Sequence, residues 1–490
     1  MELLKRISLV GVVMGARTLL SARGLNVSRG TRIVLSGIDF NLEEGEIVAI
    51  VGENGSGKST LLETLAGLHS MSSGYVKRHD LDEPKVIRNS DGMRGNIAGF
   101  GLTLQSDGIC GEETVKERIN TALNISGVDS SNDVIESILC DWGLEHRAND
   151  NISQLSDGLR RRVAVLAGLT PAAIKQDSTV VLLDEPSEGL DKASRELLAR
   201  WLRALSLQGN SIVIATHDNK MISVADRILS FDSNGNVNIL QGESSGESTE
   251  TPSSTTKIEN SKFYEFMNWA FRMEKRNPID TVGRATPALV AMLLAFTLVA
   301  GIDIPRTSSL SRHVGNDLIA GLVLAPAFIT AIVAPALIKR LAEERTGDWW
   351  RAMAGARSRA MFSIGGASFI LPIPILYLSW FVIAGDIDSS TNDEVLKWLW
   401  LPALSIIDIS AAAAALHLMV SDLHRASAAT GSLLLLFLVW PFLELTSALS
   451  SIMESGMSFD LAVGEPLFDI LISSFSAVLV WGVAVIIPED

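Results

Sequence analysis

Short β-branched runs alternate with amphipathic helical stretches from Leu19 to Ile239, the pattern of an α/β domain. Past residue 232 the composition turns to Ser, Thr, Gly and Glu (GESSGESTETPSSTTKIENS), which cannot bury a core and predicts a flexible linker over 241–262. A basic, aromatic, amphipathic stretch follows, Phe263–Arg276, of the kind that lies along a membrane surface. Six long apolar runs then succeed one another, bounded by charges: 285–302, 318–338, 360–385, a run from Trp398 to Val420 interrupted by Asp408, 426–443 and 470–488. Each approaches the ~20 residues needed to cross a bilayer core. The predicted organisation is an extension over 1–18, an α/β domain over 19–240, the linker, and an all-α membrane domain of six spans over 263–490.

Charge orients these spans. Arg272, Lys275, Arg276 and Arg284 precede the first, and Lys339, Arg340, Arg345, Arg351, Arg357 and Arg359 fill the connection between the second and third. The alternate connections, 385–396 and 450–465, are acidic and almost free of Lys and Arg, with Arg306 and Arg312 in the first outer loop a minor exception. The basic side belongs to the cytoplasm, so both termini and the α/β domain are expected there, in the cytoplasmic membrane of a cell. Trp380, Trp398, Trp400 and Trp481 fall near span ends, where interfacial tryptophans sit. A formal net charge of −15 over 490 residues argues against a nucleic-acid partner. Two distant cysteines, Cys110 and Cys140, give neither a disulfide framework nor a metal site, as suits a reducing compartment. Lys5-Arg6 ahead of Ile7–Met14 has the outline of a signal peptide, but the α/β domain behind it is expected on the cytoplasmic side. A surface-lying extension and a translation start at Met14 both remain open.

The chemistry centres on Gly52-Glu53-Asn54-Gly55-Ser56-Gly57-Lys58-Ser59, continued by Thr60. It follows the strand-like run Ile47–Val51 and opens a helix-like run to Leu68, the context a phosphate-binding loop needs. Glycines let backbone N–H groups turn toward phosphates, Lys58 reaches the β/γ oxygens, and the Ser59 hydroxyl is a magnesium ligand. ATP and Mg²⁺ are the implied cofactors.

With these residues in place, the chain resembles the ATP-binding cassette (ABC) transporters. Val180–Glu185 resembles the Walker B strand, which implies that Asp184 holds magnesium and Glu185 polarises the attacking water. Gln105, after Phe100–Leu104, matches the glutamine that senses magnesium and contacts the membrane domain; His217 matches the switch histidine on the γ-phosphate; Ser187–Asp191 resembles the D-loop. Leu155-Ser156-Asp157-Gly158-Leu159-Arg160 departs from the usual LSGGQ signature at two positions but keeps Ser156 and Gly158, which in this family touch ATP from the opposite subunit. The resemblance therefore implies a homodimer. Where the family stacks adenine on an aromatic residue, Leu25–Leu35 has none; Arg29 occupies the matching place, and a planar guanidinium also stacks on a base. The polar loop Arg340–Arg359, with Trp349-Trp350, is the expected transmission element, a short cytoplasmic helix docked on the cassette.

The membrane half resembles something narrower, the permease subunit of the haem exporter of system I cytochrome c maturation. The matching stretches are Leu341–Trp349, Leu371-Pro372-Ile373-Pro374 and Leu418–Leu434 with the basic turn Ser421–Arg425. The cassette, with Arg29 and the Arg160–Arg162 tail, resembles that system's ATPase. The implied function is ATP hydrolysis coupled to haem handover, with further cytochrome c maturation subunits and a haem chaperone as partners. His313 and His417 are candidate porphyrin ligands, against the plainer reading of interfacial or structural histidines. Asp408, at a depth that costs a charge about 2.5–3.5 kcal/mol, is expected to face the bundle interior or a pathway. Two other functions stay open: a half-transporter of the ABCG type moving lipid or hydrophobic drug, and a membrane-anchored ATPase that acts mechanically without transport.

Overall fold

The computed structural model describes residues 17–79, 83–92, 95, 99–127, 131–174, 178–232, 237–245, 247–249, 262–301, 309–333, 345–354, 368–383, 389–422, 436–455 and 465–486. Residues 1–16 and most of the linker lie outside these. The chain forms two compact units: Met1–Glu265 together with Glu343–Ser358, and Phe266–Ala342 together with Arg359–Asp490.

In the first unit, β1 (Thr18–Arg29), β2 (Arg32–Glu43), β4 (Ser73–His79) and β5 (Pro84–Asn89) make an antiparallel sheet in the order β2-β1-β4-β5. The second sheet runs β10-β9-β3-β8-β7-β6, from β3 (Ile47–Val51), β6 (Gly101–Thr103), β7 (Val180–Asp184), β8 (Ser211–Ala215), β9 (Arg227–Phe231) and β10 (Val237–Gln241). It is parallel except for β10, which pairs antiparallel with β9 at the edge. β10 closes the expected α/β domain, its last residue Gln241 reaching the first position of the expected linker. Val237, Ile239 and Leu240 give it an apolar, β-prone character, and it pairs antiparallel with β9 a few residues before it in the chain. β3, β7 and β8 are buried almost throughout, which is why they read as unbroken apolar runs.

Helices α1 (Lys58–Leu65), α2 (Val115–Ile125), α3 (Asn132–Asp141), α4 (Asp157–Ile174), α5 (Lys192–Leu207) and α6 (Asn219–Ser223) complete this α/β layer arrangement. Thr114 and Glu117 form a reciprocal capping box on α2, and the Asp191 carboxylate accepts from Ser194 N at 2.7 Å to start α5. Two glycines bring α4 directly onto β6. A Cβ on Gly168 would stand 2.5 Å from Thr103 Oγ1, and one on Gly101 2.4 Å from the Gly168 carbonyl. Arg161 lies two helical turns before Gly168 on the same face, so this close approach carries its side chain to the chain leaving β6.

In the second unit, α7 (Lys262–Arg276) enters from the first and is followed by α8 (Pro278–Gly301) and α9 (Ser309–Ile332). The chain then passes through α10 (Thr346–Ala354), which packs in the first unit. It returns as α11 (Pro372–Ile383), α12 (Ser389–Trp398), α13 (Trp400–Asp422), α14 (Val439–Ser455) and α15 (Glu465–Ile486). Large apolar side chains point outward, Leu293, Leu294, Phe296 and Leu298 on α8 and Phe468, Leu471, Phe475 and Leu479 on α15 among them. The interior collects small residues such as Ala320, Ala327, Ala412 and Ala413. The alanines among the larger Leu, Ile and Val of this interior let helices approach, and the outward apolar side chains suit a lipid surround.

Among the described residues five helices are long and apolar enough to span a bilayer: Val282–Val299, Gly315–Ile332, Trp400–His417, Leu436–Glu454 and Pro466–Val483; Pro372–Ile383 is a shorter apolar helix. The third expected run is thus represented by Pro372–Ile383 alone, the rest of 360–385 lying outside the described residues or, at 368–371, ahead of this helix. The fifth is displaced: the helix continues through Glu444 to Ser455, whereas the charge pattern ends it at 443. A single carboxylate does not terminate a helix whose backbone bonds are all internal. The expected acidic loop 385–396 likewise contains α12, tied to α11 by Trp380 Nε1 donating to Asn392 Oδ1 at 2.9 Å.

Candidate functional site

Strand register assembles the site. Ile50 pairs with Ala215, Asp184 with Ala215, and Thr103 with Leu183. The segments leaving β3, β6, β7 and β8 therefore emerge at one edge of the sheet, where open α/β folds bind ligands. They are the phosphate loop, Gln105, Asp184-Glu185 and His217.

In the phosphate loop, Gly52, Gly55 and Gly57 have φ of 154°, 81° and 111°. A Cβ on Gly52 would lie 2.7 Å from Ser56 Oγ and 3.0 Å from Phe231, so the tight turn needs glycine on steric grounds as well. Gly57 is the residue from which α1 starts, directing the helix's free N–H groups into the loop. Lys58 is buried and donates to the carbonyls of Gly52 at 2.9 Å and Glu53 at 3.2 Å, folded over the loop's concave side. Ser56 Oγ is buried without a protein partner, a polar atom that a phosphate oxygen would satisfy. Glu53, Asn54 and Gly55 form the exposed rim, whereas Thr60 is buried on α1.

The carboxylates are arranged opposite. Ser59 Oγ donates to Asp184 Oδ1 at 3.1 Å. Burial pushes the Asp184 carboxyl up to about 6, and the nearby Glu63 and Glu185 carboxylates add to the rise against the Ser59 hydrogen bond and Arg161. A buried carboxylate bonded to a hydroxyl is a donor set that suits Mg²⁺, and Ser59 and Asp184 are the residues that fit it. Gln105 lies exposed on the turn after β6. Glu185 adopts φ of 46°, unusual for a side chain of its size, and is held by its N–H to the Ala215 carbonyl at 2.8 Å. His217 Nδ1 lies 2.9 Å from Glu185 Oε2, and its imidazole is 71% exposed, open to a ligand.

A family model for "ABC transporter" matches residues 35–188. The lipoprotein-releasing system ATP-binding protein LolD of Porphyromonas gingivalis is 33% identical over 214 residues, which cover 43% of this chain and 95% of that one. The chain belongs to the ABC transporter family. The macrolide export ATP-binding/permease protein MacB of Azoarcus sp. is 34% identical over 205 residues, 40% of this chain but only 29% of that protein, so the chain spans under a third of it. A solved dimeric bacterial ABC transporter cassette, MJ0796, is 24% identical over 46% of this chain and 98% of its own, with a TM-score of 0.38. This first unit is thus an ABC ATPase cassette with an ATP-binding site.

Within the ABC cassette the signature residues sit at the start of α4, beside the D-loop. Ser156 is exposed, its hydroxyl accepting from Leu159 N at 3.4 Å, and Gly158 lies where a Cβ would stand 2.9 Å from the Gly189 carbonyl of the D-loop. Arg29 is not idle: Nη2 pairs with Glu63 at 3.1 Å, with the arginine half exposed and the glutamate buried. The expected transmission loop contains α10, packed on the cassette. Phe100 N donates to the Ala352 carbonyl at 3.0 Å, Trp349 and Trp350 are each 1% exposed, and Arg345 pairs with Glu63 at 2.5 Å and with Asp348 at 2.8 Å. Asp107, Arg118, Arg161 and Glu63 are the residues that motif reading passes over. The only trace of them in sequence is the unusual run Arg160–Arg162.

In the second unit, His417 Nε2 lies 2.9 Å from the Ile332 carbonyl, a structural bond joining α13 to α9. The side chain of His313 lies outside the described residues, as do residues 341–344 and 423–434 of the permease resemblance. Among the described residues no group of three or more His, Cys, Asp or Glu is placed to hold a metal. Asp408 is half buried on α13, one turn beyond Ser405, whose hydroxyl meets Ser474 Oγ of α15 at 2.9 Å.

Proposed function

We propose that this chain is an ATPase–permease of a membrane transporter, working as a homodimer in the cytoplasmic membrane with the cassette on the cytoplasmic side. The observation that carries this reading is the packing of α10, a segment lying in the chain between membrane helices, on the same unit as the complete phosphate site. Lys58, Ser56, the backbone N–H groups of the loop and Thr60 bind the phosphates of ATP; Ser59, Gln105 and Asp184 hold Mg²⁺, whose role is to neutralise phosphate charge. Glu185 takes the proton of the attacking water while water oxygen bonds to the γ-phosphorus and the β–γ bridging oxygen leaves with ADP. His217 orients Glu185 and, facing outward, the γ-phosphate. Ser156 and Gly158 serve the site of the second copy, which their exposure favours. Arg29 faces the base.

For cargo, the reading is haem handed over for cytochrome c assembly, supported by the permease resemblance at Leu371–Pro374 and by the basic docking loop. The cassette's similarity to a macrolide export protein supports a second reading, export of an amphiphile. Protein purified into lipid nanodiscs distinguishes them. Haem handover expects ATPase stimulation by haem and none by lipid or amphiphilic drug; the reverse pattern supports the second. A chain with steady ATP turnover but no response to either, and no movement of either across proteoliposomes, is a mechanical ATPase.

A further inference from the structure

Arg161 is 5% exposed. Its Nη1 donates to the Leu104 carbonyl at 2.6 Å and to Asp107 Oδ1 at 2.7 Å. Nη2 donates to the carbonyls of Asp184 at 2.5 Å and Glu185 at 2.8 Å. One planar guanidinium thus joins the segment leaving β6 to the segment leaving β7. Both segments contain a residue in the left-handed region, Asp107 at φ 64° and Glu185 at φ 46°, and such backbone persists only where its surroundings impose it.

The Asp107–Gly108 turn is also gripped from its other side. The Gly108 carbonyl accepts from Arg118 Nη2 at 2.7 Å, and Arg118 pairs with Glu113 at 3.3 Å, both side chains at most 1% exposed. The Arg118 guanidinium lies 3.4 Å from the centre of the Trp349 indole, and a Cβ on Gly108 would stand 3.1 Å from Trp349 Cβ. Trp349 therefore reaches the main chain of Glu185 through two buried guanidinium groups and the turn between them. Packed interiors pass such displacements on, because they do not deform continuously.

We infer that Arg161 is a positioning residue for ATP hydrolysis: it fixes the main chain of Glu185 to the Asp107–Gly108 turn, so that the position of Trp349 sets the hydrolytic rate. The inference rests on the proposed hydrolytic role of Glu185 and adds the element that makes it answer to the docking helix. The grip of Lys58 and the phosphate loop on ATP does not pass through Arg161, so binding and rate separate. An ammonium cannot span acceptors on two segments as the planar fork does, so lysine restores the rate only in part.

The test uses full-length protein in nanodiscs and measures kcat and KM for ATP. Arg161→Gln is expected to lower kcat about 100-fold, the cost of a misplaced catalytic group, with KM within about threefold of wild type and Arg161→Lys intermediate. Trp349→Ala is expected to change kcat in the wild-type background but by less than about twofold in the Arg161→Gln background, the signature of one shared route. A kcat for Arg161→Gln within about twofold of wild type, or independent effects of the two substitutions, overturns the inference. If Arg161→Gln does not fold, Asp107→Asn carries the same expectation with a fall of about tenfold, and no fall overturns it. Wild-type protein without ATP turnover would overturn the proposed function as well; a normal wild-type rate beside an unaffected variant overturns this inference alone.

Discussion

Glu185 and His217 form the pair on which the hydrolytic proposal turns, 2.9 Å apart at one edge of the sheet. Glu185→Gln keeps the shape and removes the base. The expected outcome is a fall in kcat of at least about 100-fold with ATP still bound, read by phosphate release and by retained nucleotide on the purified protein. Normal phosphate release would refute the assigned base. Lys58→Ala is instead expected to lose ATP binding, because in the proposed mechanism its ammonium binds the phosphates themselves. The two cysteines differ as sharply. Cys140 is exposed, whereas burial, then Glu113 and Glu112, push the Cys110 thiol far above its ordinary range. Since the thiolate is the reactive form, a maleimide at pH 8 is expected to label Cys140 alone in the folded protein and both after denaturation, read by mass spectrometry. At this scale the sequence was informative wherever a motif fixes the order of residues along one segment. It was silent on Glu63, which pairs with Arg29 and Arg345 from positions far apart in the chain.

At the scale of elements, the docking helix α10 shows what patterning reveals and what it omits. Its charge alternation and paired tryptophans announce a short helix with a buried face. Its seat is made by a glycine that no motif marks: a Cβ on Gly99 would stand 1.7 Å from the Met353 carbonyl. Gly99→Ala is therefore expected to displace α10 while leaving the phosphate loop intact, so ATP binding is retained and hydrogen-exchange protection over Thr346–Ala354 is lost. The pair Glu113–Arg118 lies under the same helix. Glu113→Ala strands a buried guanidinium and is expected to cost roughly 3–5 kcal/mol, seen as a lowered melting temperature of the solubilised protein. Edge strand β10 is the complementary case. Ile239 and Leu240 are apolar yet largely exposed, and pairing with β9 holds them at the sheet edge.

For the whole molecule, the proposed homodimer has two copies completing each other's sites, and the exposure of the signature Ser156 suits that role. Mixing Lys58→Ala protein with a Ser156→Arg variant tests this. If the sites are shared, the mixed dimer holds one site with both defects and one intact, and random pairing recovers roughly a quarter of the wild-type rate from two inactive preparations. No recovery, with subunit exchange verified, counts against the dimer. The membrane half shows the same division on a larger scale. Five long apolar helices among the described residues answer the six expected runs, because a bilayer demands long uncharged stretches. The third run is matched only by the shorter Pro372–Ile383, and the fifth was misplaced, since Glu444 sits inside a helix that the charge pattern ends before it.

What the sequence determined by itself is the chemistry that depends on neighbours along the chain: the phosphate loop, the carboxylate pair ending a buried strand, and most of the apolar runs. Local spacing is enough for these, because each is built within one strand–turn–helix step or one span. What only the tertiary structure decided is which distant groups share a low-dielectric interior. Arg161 meets Asp184 and Glu185 because two glycines let α4 lie against β6, and Arg118 meets Trp349 because α10 returns to the cassette. Burial makes such charged contacts strong, and burial is a property of the fold rather than of any stretch of the chain.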